Sequence, residues 1–287
     1  MPSTPNDAGR RGLPAGVVQR EAQRHRGSVT AQVTDAVAEE IPIAFIYNDR
    51  PHAVMMATPA DLEDFALGFS LSEAIIADPS ECEKVEIVPA LAGIELRVTI
   101  PSSRAAVIED RVRELTGRTG CGLCGAQTLD AAVRHPPPVT ADVCVETGAL
   151  KRALDRLAAG QLINAATGAV HAAAWVRADG GIALLREDVG RHNALDKLIG
   201  AIARAQLDAH DGFLLVTSRA SYEMVMKAAT VGIGALAAIS APTALAIALA
   251  RESNVTLIGF ARRDGWSVYT FPQRVMTAVR KSGESTR

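Results

Sequence analysis

The sequence predicts an α/β fold, a mixed and largely parallel sheet covered by helices, with a smaller N-terminal α+β subdomain. Three observations predict it. From His171 onward, short apolar segments alternate with helical patterns, which is the rhythm of strand–helix–strand units. Several of those segments are apolar throughout, as strands buried on both faces must be. Before residue 115, by contrast, paired strand patterns bracketed by turn residues enclose a single helix.

Each element follows in order. Residues 1–27, rich in Pro, Gly and Arg without apolar periodicity, predict a disordered tail. Ile43–Tyr47 reads as a strand, Asn48–Pro51 as a turn and His52–Met56 as the returning strand. Thr58-Pro59-Ala60-Asp61 supplies a cap and a first-turn proline for a helix to about Ala77. Val85–Val88 and Glu95–Ile100 form a second strand pair. A helix over Ala126–Arg134 ends at His135-Pro136-Pro137-Pro138, a stiff connector, and Gly148–Ala159 is amphipathic helix. Then come strands 171–176 and 181–185, helix 193–206, strand 212–217, helix 221–230, strand 233–239, helix 243–251 and strand 255–260. The predicted division is a tail (1–27), the α+β subdomain (28–115), a core carrying the cysteine loop (116–275) and a tail (276–287).

Composition narrows the function. The 287 residues carry a net charge of −2, with aromatics at 4%. No global electrostatic case exists for nucleic acid or an anionic membrane, and little ring surface for stacking bases. Arg10-Arg11 lacks the apolar stretch of an export leader. Ala228–Ala250 is uncharged and long enough to span a bilayer. Gly232, Gly234 and Ser240-Ala241-Pro242 interrupt it, so it reads as buried strand plus buried helix. The expected location is the cytoplasm.

Gly120-Cys121-Gly122-Leu123-Cys124-Gly125 is the most informative segment. Flanking glycines leave both thiols unshielded, and a helix beginning behind them favours thiolate. With four cysteines in so long a chain, a C-x-x-C points to redox, sulfur or metal chemistry rather than a disulfide scaffold. Cys82, between Glu81 and Glu83, has its thiolate disfavoured by like charge. Cys144, within Val143-Cys144-Val145, reads as core.

Polar clusters follow the predicted strands: Arg186–Asn193, Ser218–Glu223, Ser240–Thr243 and Ala261–Gly265. In open α/β sheets ligands bind beyond the carboxyl ends of strands. Arg186, Arg191, Arg219, Arg262 and Arg263, with serines at helix starts, would suit phosphates. The structural alternative pairs these arginines with Glu187, Asp188 and Glu223. His192 and His171 are candidates for function, while His52 reads as structural.

With these segments assembled, the chain resembles the formate dehydrogenase accessory sulfurtransferase family (FdhD-type). The matching residues are Tyr47-Asn48 with Pro51-His52, Met55–Pro59 to Ser72-Glu73, Gly117–Gly125, Thr167-Gly168 with His171-Ala172-Ala173, Glu187–Lys197, Ser218-Arg219 with Glu223, Ser240–Thr243 and Gly259-Phe260. The resemblance covers roughly residues 30 to 275. It implies a dimer with a cytidine-deaminase-like core. It also implies a carrier that takes persulfide sulfur from a cysteine desulfurase and passes it to the molybdenum bis(guanine dinucleotide) cofactor for formate dehydrogenase. By the same resemblance Cys121 is the persulfide cysteine, Cys124 its partner, and Phe260, Ala261, Arg262, Arg263, Asp264 and Gly265 contact the nucleotide, beside His192 and Arg219. The molybdenum cofactor would be a bound substrate, with no metal held directly by side chains.

Other chemistries fare worse. A zinc deaminase needs H-x-E before P-C-x-x-C, whereas Gly120 precedes Cys121 and His52-Ala53-Val54 has no glutamate. A thioredoxin-like reductase would place its C-x-x-C after an early strand. A structural zinc held by Cys121, Cys124, His135 and Cys144 is the stronger alternative.

Overall fold

The computed structural model describes residues 12–104, 108, 134–140 and 143–277. Its strands are β1 (Val17–Arg26), β2 (Val29–Ala38), β3 (Ile41–Tyr47), β4 (Arg50–Ala57), β5 (Lys84–Ala90), β6 (Gly93–Thr99) and β7 (Val145–Glu146). They continue as β8 (His171–Arg177), β9 (Ile182–Asp188), β10 (Gly212–Val216), β11 (Ala235–Ala238), β12 (Thr256–Arg262), β13 (Gly265–Val268) and β14 (Val275–Met276). The helices are α1 (Leu62–Ser72), α2 (Thr147–Gly160), α3 (Leu162–Thr167), α4 (Arg191–Arg204), α5 (Tyr222–Thr230) and α6 (Ala244–Glu252). None of the described helices is long and apolar enough to cross a membrane.

The chain enters two compact units alternately. One comprises Met1–His135, Ala159–Ala173 and Leu185–Gln206; the other comprises Pro136–Ala158, Ala174–Leu184 and Leu207–Arg287. The reading of consecutive domains at 28–115 and 116–275 gives way to this interleaving. A pattern along the chain reveals an apolar face but not the distant face it will meet.

In the first unit a four-stranded sheet runs β4-β3-β6-β5, with β3 parallel to β6 and antiparallel to β4. Alternation along β3 sends Ile43, Phe45 and Tyr47 inward, all fully buried. Phe45 stacks on Phe69 at 4.2 Å and meets Phe65 edge-on at 5.0 Å, which fixes α1 against the sheet. Helices α1 and α4 cross at glycines. A Cβ on Gly68 would lie 1.7 Å from the Asp196 carbonyl oxygen, and one on Gly200 would lie 1.9 Å from that of Asp64. Helix α1 starts at Leu62, three residues later than the cap motif predicts, because Thr58 is buried and otherwise engaged.

Residues 17–26 are not a disordered tail. They form β1 and pair with β2 over the full length of both strands, through a tight turn at Gly27, whose φ is +59°. The ribbon faces water on both sides along most of its length, so its sequence carries no burial period to read. Among the described residues only its foot is packed, where Val17, Ala36 and Ala38 meet Ile163 and Val170.

The second unit holds β10 to β13 whole, with residues 174–177 of β8 and 182–184 of β9, in a mixed sheet ordered β13-β12-β11-β10-β8-β9. Strands β10, β11 and β12 are parallel, and β13 returns antiparallel beside β12. Every residue of β10 and β11 is buried, as the uninterrupted apolar segments require. The uncharged stretch 228–250 resolves into the end of α5, β11 and most of α6. A small parallel pair, β14 with β7, completes the unit. In Val143-Cys144-Val145 the valines are buried and Cys144 is exposed, so Cys144 is not core. Period-two alternation turned the middle residue outward.

Candidate functional site

Because β10, β11 and β12 are parallel, their carboxyl ends share one edge of the second unit's sheet. The loops there are laced together by backbone bonds. The Ile239 N–H donates to the Val216 carbonyl at 2.9 Å, Thr243 N–H to Ala220 at 3.1 Å and Phe260 N–H to Ser240 at 3.1 Å. Thr243 caps α6 by accepting from the Ala246 N–H at 3.2 Å. Ser221 is the N-cap residue of α5, yet its hydroxyl makes no cap bond and is buried without a partner among the described residues.

At the end of β12 the register shifts between Gly259 and Arg262, a bulge. Phe260 sits in it with φ at +51° and its side chain exposed. A left-handed backbone is rare for an aromatic residue and costs about 1–3 kcal/mol. Gly259 leaves no room for a side chain, since a Cβ there would meet Pro242 at 2.7 Å and Tyr269 at 3.0 Å. Ala261 is buried, while Arg262, Arg263 and Asp264 are exposed around the turn into β13 at Gly265. Arg263 is bound to Asp155 at 2.6 Å, whereas Arg219 and Arg262 are exposed and in no ion pair among the described residues. An exposed ring and unpaired guanidiniums on the loops of one sheet edge can hold a base and its phosphates.

In the first unit, Glu187–Lys197 is chiefly a fastening. Asp188 is fully buried and accepts four bonds: from Thr58 N–H at 3.0 Å, Gly190 N–H at 2.8 Å, Asn193 Nδ2 at 2.9 Å and Lys197 Nζ at 2.6 Å. Lys197, equally buried, also donates to the Thr58 carbonyl at 2.8 Å, and Asn193 to that of Met56 at 2.8 Å. Glu187 accepts the Ile163 and Asn164 N–H groups at 2.8 Å each, and burial pushes its carboxyl above the usual range. Arg186 is bound to Asp64 at 2.6 Å and so leaves the list of phosphate contacts. Its partner lies far away in sequence, which no local pattern reveals.

Arg191 and His192 open α4 after Gly190, which offers no side-chain cap. The Arg191 Nε is buried and unpartnered among the described residues. Burial first, then the charges of Arg191 and His192, hold the imidazole of His171 below its ordinary value; Asp188 opposes them. His52 packs edge-on against Tyr47 at 5.4 Å.

Residues 38–276 match the model of the FdhD/NarQ family. The chain belongs to the FdhD/NarQ family. It is 56% identical over 269 residues to a protein of Xanthomonas euvesicatoria pv. vesicatoria named sulfur carrier protein FdhD, covering 94% of this chain and 96% of that one. A protein of the same name from Cupriavidus necator is 54% identical over 241 residues, 84% of either chain. The solved structure of a formate dehydrogenase accessory protein from Desulfotalea psychrophila superimposes with a TM-score of 0.69 at 25% identity, covering 91% of this chain and 99% of that one.

In this FdhD/NarQ chain, Cys121 and Cys124 lie outside the described residues. Of the other two, Cys82 is half-buried, and it is burial rather than the neighbouring glutamates that raises its thiol. Cys144 lines an open cleft of about 510 Å³ with Glu146, Trp175, Asp208 and His210. Among the described residues no group of three His, Cys, Asp or Glu is disposed to hold a metal.

Proposed function

We propose that this protein is a sulfur carrier. Its Cys121 takes persulfide sulfur from a cysteine desulfurase, and the sulfur is delivered to a molybdenum bis(guanine dinucleotide) cofactor that formate dehydrogenase then receives. The observation that carries the cargo half of this reading is the strand-end edge of the second unit. There Phe260 is held exposed in a left-handed bulge, with Arg219 and Arg262 in no ion pair among the described residues. A guanine dinucleotide offers both a π-face for the ring and phosphates for the arginines. The turn to Gly265 belongs to the same proposed recognition. The six-stranded sheet is read as the deaminase-like core, and the working assembly as a homodimer in the cytoplasm.

The chemistry balances with two cysteines. The Cys121 thiolate attacks the outer sulfur of the donor's persulfide; the new S–S bond forms on Cys121 and the donor leaves as thiolate. For release, the Cys124 thiolate attacks the Cys121 sulfur and the outer sulfur departs as hydrosulfide, a ligand for molybdenum. That sulfur is reduced by two electrons as the cysteine pair is oxidised to a disulfide, which a cellular dithiol then reduces.

The test is mass analysis without reductant after incubation with a desulfurase and cysteine. One added sulfur on the Cys121–Cys124 peptide, and none on those of Cys82 and Cys144, is the expected result. An unmodified peptide together with a retained zinc ion would replace this reading by the structural-metal one.

A further inference from the structure

The β1–β2 ribbon has two unlike faces. On one, the register sets Arg20 opposite Asp35, Ala22 opposite Val33, Arg24 opposite Ala31 and Arg26 opposite Val29. On the other it sets Glu21 opposite Thr34, Gln23 opposite Gln32 and His25 opposite Thr30. That second face satisfies itself: Thr34 donates to Glu21 at 3.0 Å, and His25 bonds Thr30 at 2.9 Å and Gln23 at 3.2 Å. The first face does not. Asp35, its one carboxylate, meets Arg24 at 3.0 Å. Arg20 reaches only the adjacent Gln19 carbonyl at 2.9 Å, and Arg26 has no carboxylate partner among the described residues. Val29, at the tip, is 65% exposed.

A two-stranded ribbon is marginal in water unless something packs on it. Among the described residues only the foot is packed, while each strand is ~33 Å long. Three guanidiniums over an alanine and valine floor make a face with surplus positive charge and apolar area between the charges. We infer that the Arg20, Arg24 and Arg26 face docks on a carboxylate-bearing surface of a partner protein. Guanidinium forks match carboxylates bidentately, and arginine with apolar contact is the composition of a protein interface. Nucleic acid fits less well, because this face carries no ring for bases to stack on and the chain's net charge is −2.

The choice of probes rests on the sulfur-carrier reading: purified cysteine desulfurase and purified formate dehydrogenase, tested one at a time. The variant is Arg20→Gln, Arg24→Gln and Arg26→Gln together, with its fold verified by circular dichroism and an Arg→Lys triple variant as the charge-preserving control. Wild type should bind one of the two enzymes with an affinity that falls as salt rises through ~0.15 M. The glutamine variant should bind about tenfold or more weaker with a flattened salt dependence, and the lysine variant should recover part of the loss. Sulfur loading from a small persulfide such as glutathione persulfide should be unchanged. Wild type that binds neither enzyme, or a glutamine variant indistinguishable from it, would overturn the inference. So would arginine dependence seen only for duplex DNA, anionic vesicles or self-association. Failure of wild type to accept sulfur from any donor is a different result, and it strikes the carrier reading instead.

Discussion

Phe260 keeps its ring in solvent at the expense of its own backbone, with φ at +51°. Glycine adopts that angle freely, so Phe260→Gly should raise stability by up to ~1 kcal/mol in urea unfolding. The same substitution should weaken binding of GDP, a stand-in for the cargo's nucleotide end, by about tenfold in calorimetry. Asp188 and Lys197 present the opposite balance, a buried ion pair satisfied on every side. Lys197→Met leaves Asp188 charged and short of one donor, which should cost ~3–5 kcal/mol. Adding Asp188→Asn should recover part of that loss, measured by the same unfolding curves. His171 titrates below its ordinary value of 6.5 in the fold, whereas the unfolded chain takes up its proton near that value. Its contribution to stability is therefore present at high pH and lost as pH falls through 6.5 towards the folded value. His171→Gln should flatten the fall in unfolding midpoint between about pH 8 and pH 5.

Between α1 and α4 the decisive feature is an absence of side chains. A methyl group on Gly68 or Gly200 would enter a backbone carbonyl of the facing helix, at 1.7 and 1.9 Å. Gly68→Ala and Gly200→Ala should each cost ~1–3 kcal/mol or more in thermal unfolding, while Gly265→Ala, with open space around it, should change little. Elements buried on one face or on both were legible from sequence. The period-two alternation of β3 and the unbroken apolar residues of β10 and β11 place those strands within a residue or two of where they lie. The ribbon was not legible, since two wet faces leave no pattern. The start of α1 misled for another reason: Thr58 has the right chemistry for a cap, but the Val189 N–H donates to its hydroxyl at 3.2 Å instead.

Across the molecule, the polar strand ends were visible in the sequence, but their sorting was not. Arg219 and Arg262 remain exposed, whereas Arg186 and Arg263 are claimed by Asp64 and Asp155, carboxylates remote in the chain. Long-range pairing of that kind depends on topology, and topology here is an alternation of segments between two units. That alternation governs how the protein is made. Strand β7 leaves the ribosome at Val145–Glu146, yet its partner β14 is not synthesised until Val275–Met276. At ~5–20 residues per second the interval is on the order of ten seconds, during which the second unit lacks its closing strand. A premature stop anywhere before Val275 therefore removes a structural seam rather than a dispensable end, and hands the proteases of the cell an unfinished unit.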